Sequence, residues 1–147
     1  ILMSISNAKN GNTIFESILR KNVPLIFFDR KKAIQGVSSV TIDDFNGAYS
    51  ATKHLIEQGC KRIAHLSNDR RLEIFKNRYL GYKQAIIDHG LAYDESLVIE
   101  TFSKVIEGRK STKLLLDLPN PPDAIFSSSD FTALGAIEEI KANGLKI

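Results

Sequence analysis

Gly59-Cys60-Lys61-Arg62-Ile63-Ala64-His65-Leu66 is the stretch on which the chain turns. Upstream of it, Phe45, Ala48, Tyr49, Thr52, Leu55 and Ile56 recur at helical spacing and stop at Gly59, a residue suited to closing a helix. Downstream, Ile63 to Leu66 is a short apolar run that reads as a strand. A polar loop follows, then a long helix carrying Phe75, Tyr79, Tyr82, Ile86 and His89 and ending at Gly90. Strand and helix alternate on both sides, so two α/β units are expected to meet here. The seam divides the chain into residues 1–60 and 61–147.

Working outward, Ile1 to Ile5 reads as a strand and Asn7 to Gly11 as a loop. Thr13 and Glu16 have the spacing of a capping box, and Ile14, Phe15, Ile18 and Leu19 form one apolar stripe behind it. Pro24 cannot continue that helix. Val23 to Phe28 is a near-continuous apolar run, which predicts a parallel strand buried on both faces. Val37 to Ile42 is β-branched and alternating, a further strand, and Asp43-Asp44 suits the start of the next helix. Leu97 to Thr101 and Ala124 to Ser127 read as strands, and Glu107 to Leu118 and Ser129 to Asn143 as helices, closed by Pro119 and Gly144 respectively. This alternation implies parallel sheet flanked by helices, with ligands gathering at the carboxyl ends of the strands. The rule selects Asp29 and Arg30, Asp43 and Asp44, Ser67 to Asp69, Phe102, and Ser127 to Asp130.

Composition narrows the function class. In 147 residues, 43% are hydrophobic and 25% charged, the mix of an ordinary globular domain. The net charge of +3 is spread among acids, so this segment is not expected to bind nucleic acid itself. Cys60 is the single cysteine, which leaves no internal disulfide and no zinc site. The longest apolar runs are about five residues, far short of a membrane span. The chain opens inside an apolar run without a methionine and stops after a helix-closing glycine, so it is expected to be part of a longer protein.

Motifs for dinucleotide, P-loop, zincin and serine-hydrolase chemistry are missing, and no cofactor, metal or catalytic group is expected. Arg78 has two readings: a surface arginine lying over Phe75, Tyr79 and Tyr82, or a forked donor aimed into a cleft. Gly81 inside the same helix implies close packing against a neighbour. Ser129 reads first as an N-cap, a role compatible with ligand contact. Phe102 reads as core or as a stacking wall.

Taken together, several motifs resemble the effector-binding domain of LacI/GalR-type bacterial regulators. They are Val23-Pro24-Leu25-Ile26-Phe27-Phe28-Asp29-Arg30, then Val40 to Asp44 running into Gly47-Ala48 and His54-Leu55-Ile56. Next come Gly59 to Ala64, Arg78-x-x-Gly81-Tyr82, and Pro121 to Phe126 running into Ser129-Asp130 and Ala133 to Ala136. Their order and spacing cover nearly the whole chain.

The resemblance implies a periplasmic-binding-protein-like α/β fold of two Rossmann-like lobes, incomplete in this chain. Residues 1–60 would be the later part of the N-terminal lobe and 61–147 most of the C-terminal lobe. It implies a cytoplasmic, dimeric transcriptional regulator that is not an enzyme and that holds a small-molecule effector, a sugar or derivative, between its lobes. DNA would be contacted only through a helix-turn-helix head that this chain lacks. Carried over by position, Arg78 is the effector-binding arginine, Ser129, Asp130 and Phe102 are further ligand contacts, and Asp29 and Asp43 lie at the cleft edge. Ala133, Leu134 and Ile137 fall on a dimer helix. The alternative is a periplasmic sugar-binding protein of a transporter.

Overall fold

In the computed structural model, residues 1–5 and 12–147 are described, the side chains of Asn12 and Thr13 excepted. The expected loop at 7–11 and the Thr13 half of the capping box fall outside them. The elements are β1 (Leu2–Met3), α1 (Asn12–Arg20), β2 (Ile26–Phe28), β3 (Ser38–Val40), α2 (Asp44–Glu57), β4 (Ile63–Ser67) and α3 (Glu73–Asp88). A 3-10 turn (Glu95–Leu97) then leads into β5 (Val98–Glu100), α4 (Val105–Leu116), β6 (Ala124–Ser127) and α5 (Asp130–Ala142).

Two separate three-stranded sheets result, ordered β1-β2-β3 and β5-β4-β6. Every pairing is parallel, with Phe27 opposite Met3 and Ser39, and His65 opposite Val98 and Phe126. β4 is the central strand of its sheet, and all five of its residues are buried. Its alternation serves two cores. Ala64 and Leu66 meet Leu97, Leu115 and Ala136, whereas Ile63 meets Tyr82 and Ile86 of α3.

Helix ends follow the sequence chemistry. Asp43 caps α2 by accepting from Asn46 N–H at 3.0 Å, and Gly59 leaves it at φ +96, open to glycine at no steric cost. Gly81 is where α3 meets α2: an added Cβ would strike the Phe45 carbonyl and lie 2.9 Å from Tyr49 N. Gly108 and Gly135 do the same between α4 and α5, each facing backbone of the other helix.

Two expectations fail. β2 is not buried on both faces: Phe27 is buried against α1, but Ile26 and Phe28 are each 42% exposed. Only one face of this sheet carries a helix among the described residues. The division at residue 60 also misplaces α2. Packing through Gly81, the Tyr49–Asp88 hydrogen bond and the contacts of Leu55 and Ile56 with the Ile63 cluster put α2 with the second sheet. The chain therefore passes from one unit to the other at 41–43, between β3 and α2. Helix-stop signals mark where a helix ends and carry no information about which sheet it covers.

Candidate functional site

The loops after β2, β5 and β6 and the N-terminal turns of α3 and α5 converge on a cavity of about 360 Å³ between the two units. The first unit contributes Asp29 and Arg30, and the second Ile74, Phe75, Arg78, Ser103 and residues Ser127 to Phe131. The units also touch directly. Lys31 Nζ lies 3.4 Å from Glu73 Oε1, and the Arg30 guanidinium sits 5.9 Å from the Phe75 ring centre.

Arg78 is held rigidly. Its Nε donates to Asp44 Oδ1 at 2.9 Å and its Nη1 donates to the Ser128 carbonyl at 2.7 Å. The Asp44 side chain is 6% exposed and that of Arg78 26%, so the pair is largely removed from water. Two fixed bonds set the plane of the guanidinium and leave Nη2 without an acceptor among the described residues. The reading of Arg78 as a surface arginine over aromatics does not hold.

Beneath the cavity, buried Asn68 ties the strand ends together. Its Nδ2 donates to Ser128 Oγ at 2.9 Å, and its Oδ1 accepts from Ser103 Oγ at 2.7 Å and Thr101 Oγ1 at 3.2 Å. Ser128 Oγ in turn donates to the Leu66 carbonyl at 2.9 Å. The floor is thus a satisfied polar network, which rigidifies rather than strains.

Of the residues expected at the site, Arg78, Ser129, Asp130 and Asp29 line this cavity. Ser129 makes no side-chain cap to α5; its carbonyl accepts from Ser127 Oγ and Thr132 Oγ1 instead, at 2.9 Å each. Phe102 is neither core nor wall: it is 68% exposed and lies off the cavity. Ser103 beside it, at φ +53, turns the chain so that Ser103 faces the cavity. Asp43 lies in a second cavity of about 210 Å³ with Ile42, Gly47 and Phe126, reached across Arg78. The Asn46 backbone and side chain, both donating to Asp43, hold its carboxyl below the ordinary value.

Ser103 and Phe131 were missed in sequence; Asn68 and Ser128 fell among the strand-end candidates, but their hydrogen bond was not foreseen. Phe131 follows Asp130 on the first turn of α5, a signal that periodicity assigns to the helix surface. His65 was missed too. It is fully buried, stacked 4.9 Å from both Tyr82 and Phe126, with Nδ1 3.0 Å from the Phe126 carbonyl. Burial pushes its pKa down to about 4. No cluster of metal-binding side chains occurs among the described residues.

Two parallel three-stranded sheets, with a polar cavity between them at their strand ends, define a protein of the bilobal ligand-binding class. The chain belongs to the family described as periplasmic binding proteins and sugar binding domain of LacI family, whose model matches residues 1–147. It is 35% identical over 132 residues to the HTH-type transcriptional regulator DegA of Bacillus subtilis, covering 90% of this chain and 39% of that regulator. Its fold is similar to the transcription regulator CcpA of Lactococcus lactis, at TM-score 0.87 and 25% identity, covering all of this chain and 53% of that one. It is also similar to a transcriptional regulator CelR–cellobiose complex, at TM-score 0.81 and 30% identity, covering 94% of this chain and 43% of that one. The chain thus spans about two-fifths to half of these relatives. No helix among the described residues is long and apolar enough to cross a membrane.

Proposed function

We propose that this chain is the effector-sensing part of a LacI-type transcriptional regulator and binds a sugar or sugar derivative between its two units. The observation that carries the reading is the inter-unit cavity of about 360 Å³ with a pre-oriented arginine on its wall. Carboxylates at Asp29 and Asp130, serine hydroxyls and the forked Arg78 donor suit a ligand rich in hydroxyls, while Phe75 and Phe131 offer apolar faces. The named relatives are regulators, and one similar structure holds cellobiose.

On this reading the units are lobes joined at 41–43, and ligand binding favours one lobe arrangement over another. That shift alters how a cytoplasmic homodimer, joined in part through Ala133, Leu134 and Ile137 on α5, presents DNA-binding heads supplied outside this chain. Leu134 and Ile137 are 48% and 39% exposed, apolar surface that a partner helix would cover.

The test uses the intact protein and DNA from its own promoter region. Mobility shift should show complex formation that changes on adding a sugar identified by thermal-shift screening. Arg78→Ala should abolish the response to sugar while leaving DNA binding. An intact protein that binds sugar but no DNA would move the reading to the exported binding protein of a transporter.

A further inference from the structure

Asn68 is buried beneath the inter-unit cavity and does not line it. Its amide lies between two loops that do: Ser128 Oγ is 2.9 Å from Nδ2, and Ser103 Oγ is 2.7 Å from Oδ1. Ser103 faces the cavity from the loop between β5 and α4, at φ +53, a left-handed backbone that serine seldom adopts.

Each proton in this network has one place to go. Ser128 Oγ lies 2.9 Å from the Leu66 carbonyl oxygen, which can only accept, so the Ser128 proton sits on that line. Ser128 Oγ then accepts from Asn68, which puts Nδ2 on that side of the amide and Oδ1 on the other. Turning the amide over would leave Ser128 one proton for two acceptor oxygens, Oδ1 and the Leu66 carbonyl. Thr101 Oγ1 sends its proton to the Ser67 carbonyl at 2.8 Å, nearer than Oδ1 at 3.2 Å. Ser103 therefore supplies the proton of its 2.7 Å contact with Oδ1, a normal O–H···O length, as 2.9 Å is for N–H···O.

The chain of bonds is thus directional, and it ends at the cavity. With its proton spent on Oδ1, the Ser103 hydroxyl offers the cavity only lone pairs. Ser127, also on the cavity wall, is in a similar state: its hydroxyl is engaged by the Ser129 carbonyl at 2.9 Å and Thr132 Oγ1 at 2.7 Å.

We propose that Asn68 is a positioning residue that locks the Ser103 hydroxyl as an acceptor, and that Ser103 thereby selects effectors presenting a hydrogen-bond donor, a hydroxyl or an amino group, at that point. An ether, carbonyl or carboxylate oxygen there would face the Ser103 oxygen with no proton between them, and leaving a half-buried polar group unpaired costs more than a made bond gains. The proposal rests on the effector-binding reading above and adds to it the polarity of one contact.

Two measurements on the intact protein test it. The first needs no ligand. In the NMR spectrum of isotope-labelled protein, the Asn68 side-chain amide protons should show NOEs to the β protons of Ser128. NOEs to the Ser103 β protons or the Thr101 methyl instead would reverse the chain and overturn the proposal. The second is calorimetry with cellobiose, glucose, galactose and ribose, and with the deoxy and deoxyfluoro analogues of each sugar that binds. Fluorine accepts weakly and cannot donate. At one hydroxyl both analogues should bind about tenfold or more weaker than the parent, and Ser103→Ala should erase that difference. Asn68→Leu frees the Ser103 proton and should narrow the deoxyfluoro penalty at this hydroxyl alone, whereas Asn68→Asp keeps an acceptor facing Ser103 and should retain it. A merely structural Asn68 would weaken parent and analogues by the same factor in both variants. Equal penalties in wild type and Ser103→Ala overturn the role of Ser103 and leave sugar binding standing. No binding of any of these sugars overturns the sugar reading, while the NOEs still decide the direction of the chain.

Discussion

Arg78 donates through Nε to Asp44 at 2.9 Å, and Asp44 is the first residue of α2 after the connector from the first unit. One ion pair therefore joins the wall of the inter-unit cavity to the point where the chain crosses between units. Asp44→Ala should leave Arg78 half-buried and held by the Ser128 carbonyl alone. A loss of about 1–3 kcal/mol is expected from the lost charge-assisted bond, less than for a fully buried pair because Arg78 keeps some water. Urea unfolding of the intact protein measures it; an unchanged midpoint would show the pair to be dispensable.

Gly81→Ala should destabilise despite alanine's better helix propensity. The added methyl runs into the Phe45 carbonyl of α2, backbone that cannot rotate away. Overpacking of this kind costs about 1–3 kcal/mol, more than the roughly 1 kcal/mol gained in propensity. Gly135→Ala should behave likewise, through the Val105 carbonyl of α4. Gly47→Ala, with open space at its Cβ, is the control and should be neutral or stabilising.

His65 sets an acid limit. Its folded pKa of about 4 lies below the ordinary 6.5, so protonation favours the unfolded chain. The stabilising contribution is complete above pH 6.5 and is lost as pH falls through the window from 6.5 towards 4, by about 3 kcal/mol in all. Stability measured by denaturant between pH 7 and 4.5 should fall with this slope. His65→Phe should flatten it; an equal slope in that variant would assign the effect to other groups.

Leu134→Glu should disrupt self-association of the intact protein. The side chain is 48% exposed beside Ile137 and Phe131, so the charge is tolerated in the monomer and buried only in a dimer. Sedimentation velocity should report a lighter species than wild type at the same concentration. Unchanged sedimentation would remove α5 from the interface.

The order of elements and the parallel two-sheet architecture were legible in the sequence because periodicity, caps and closing glycines act over a few residues. Gly81 announced close helix packing, and the rule that ligands gather at strand ends selected Asp29, Arg30 and Asp130, which line the cavity, whereas Arg78 was singled out from its helix and from the family resemblance. Long-range placement was not legible. α2 ends at Gly59 whichever sheet it covers, and only its packing on α3 put the crossover at 41–43. Phe102 and Ser103 are neighbours, and the φ of +53 at Ser103 decided which of them faces the cavity. The pairing of Arg78 with Asp44, 34 residues apart, exists only once α2 packs on α3. Local chemistry is written along the chain; the partners of a charged side chain are set by which surfaces the hydrophobic cores force into contact.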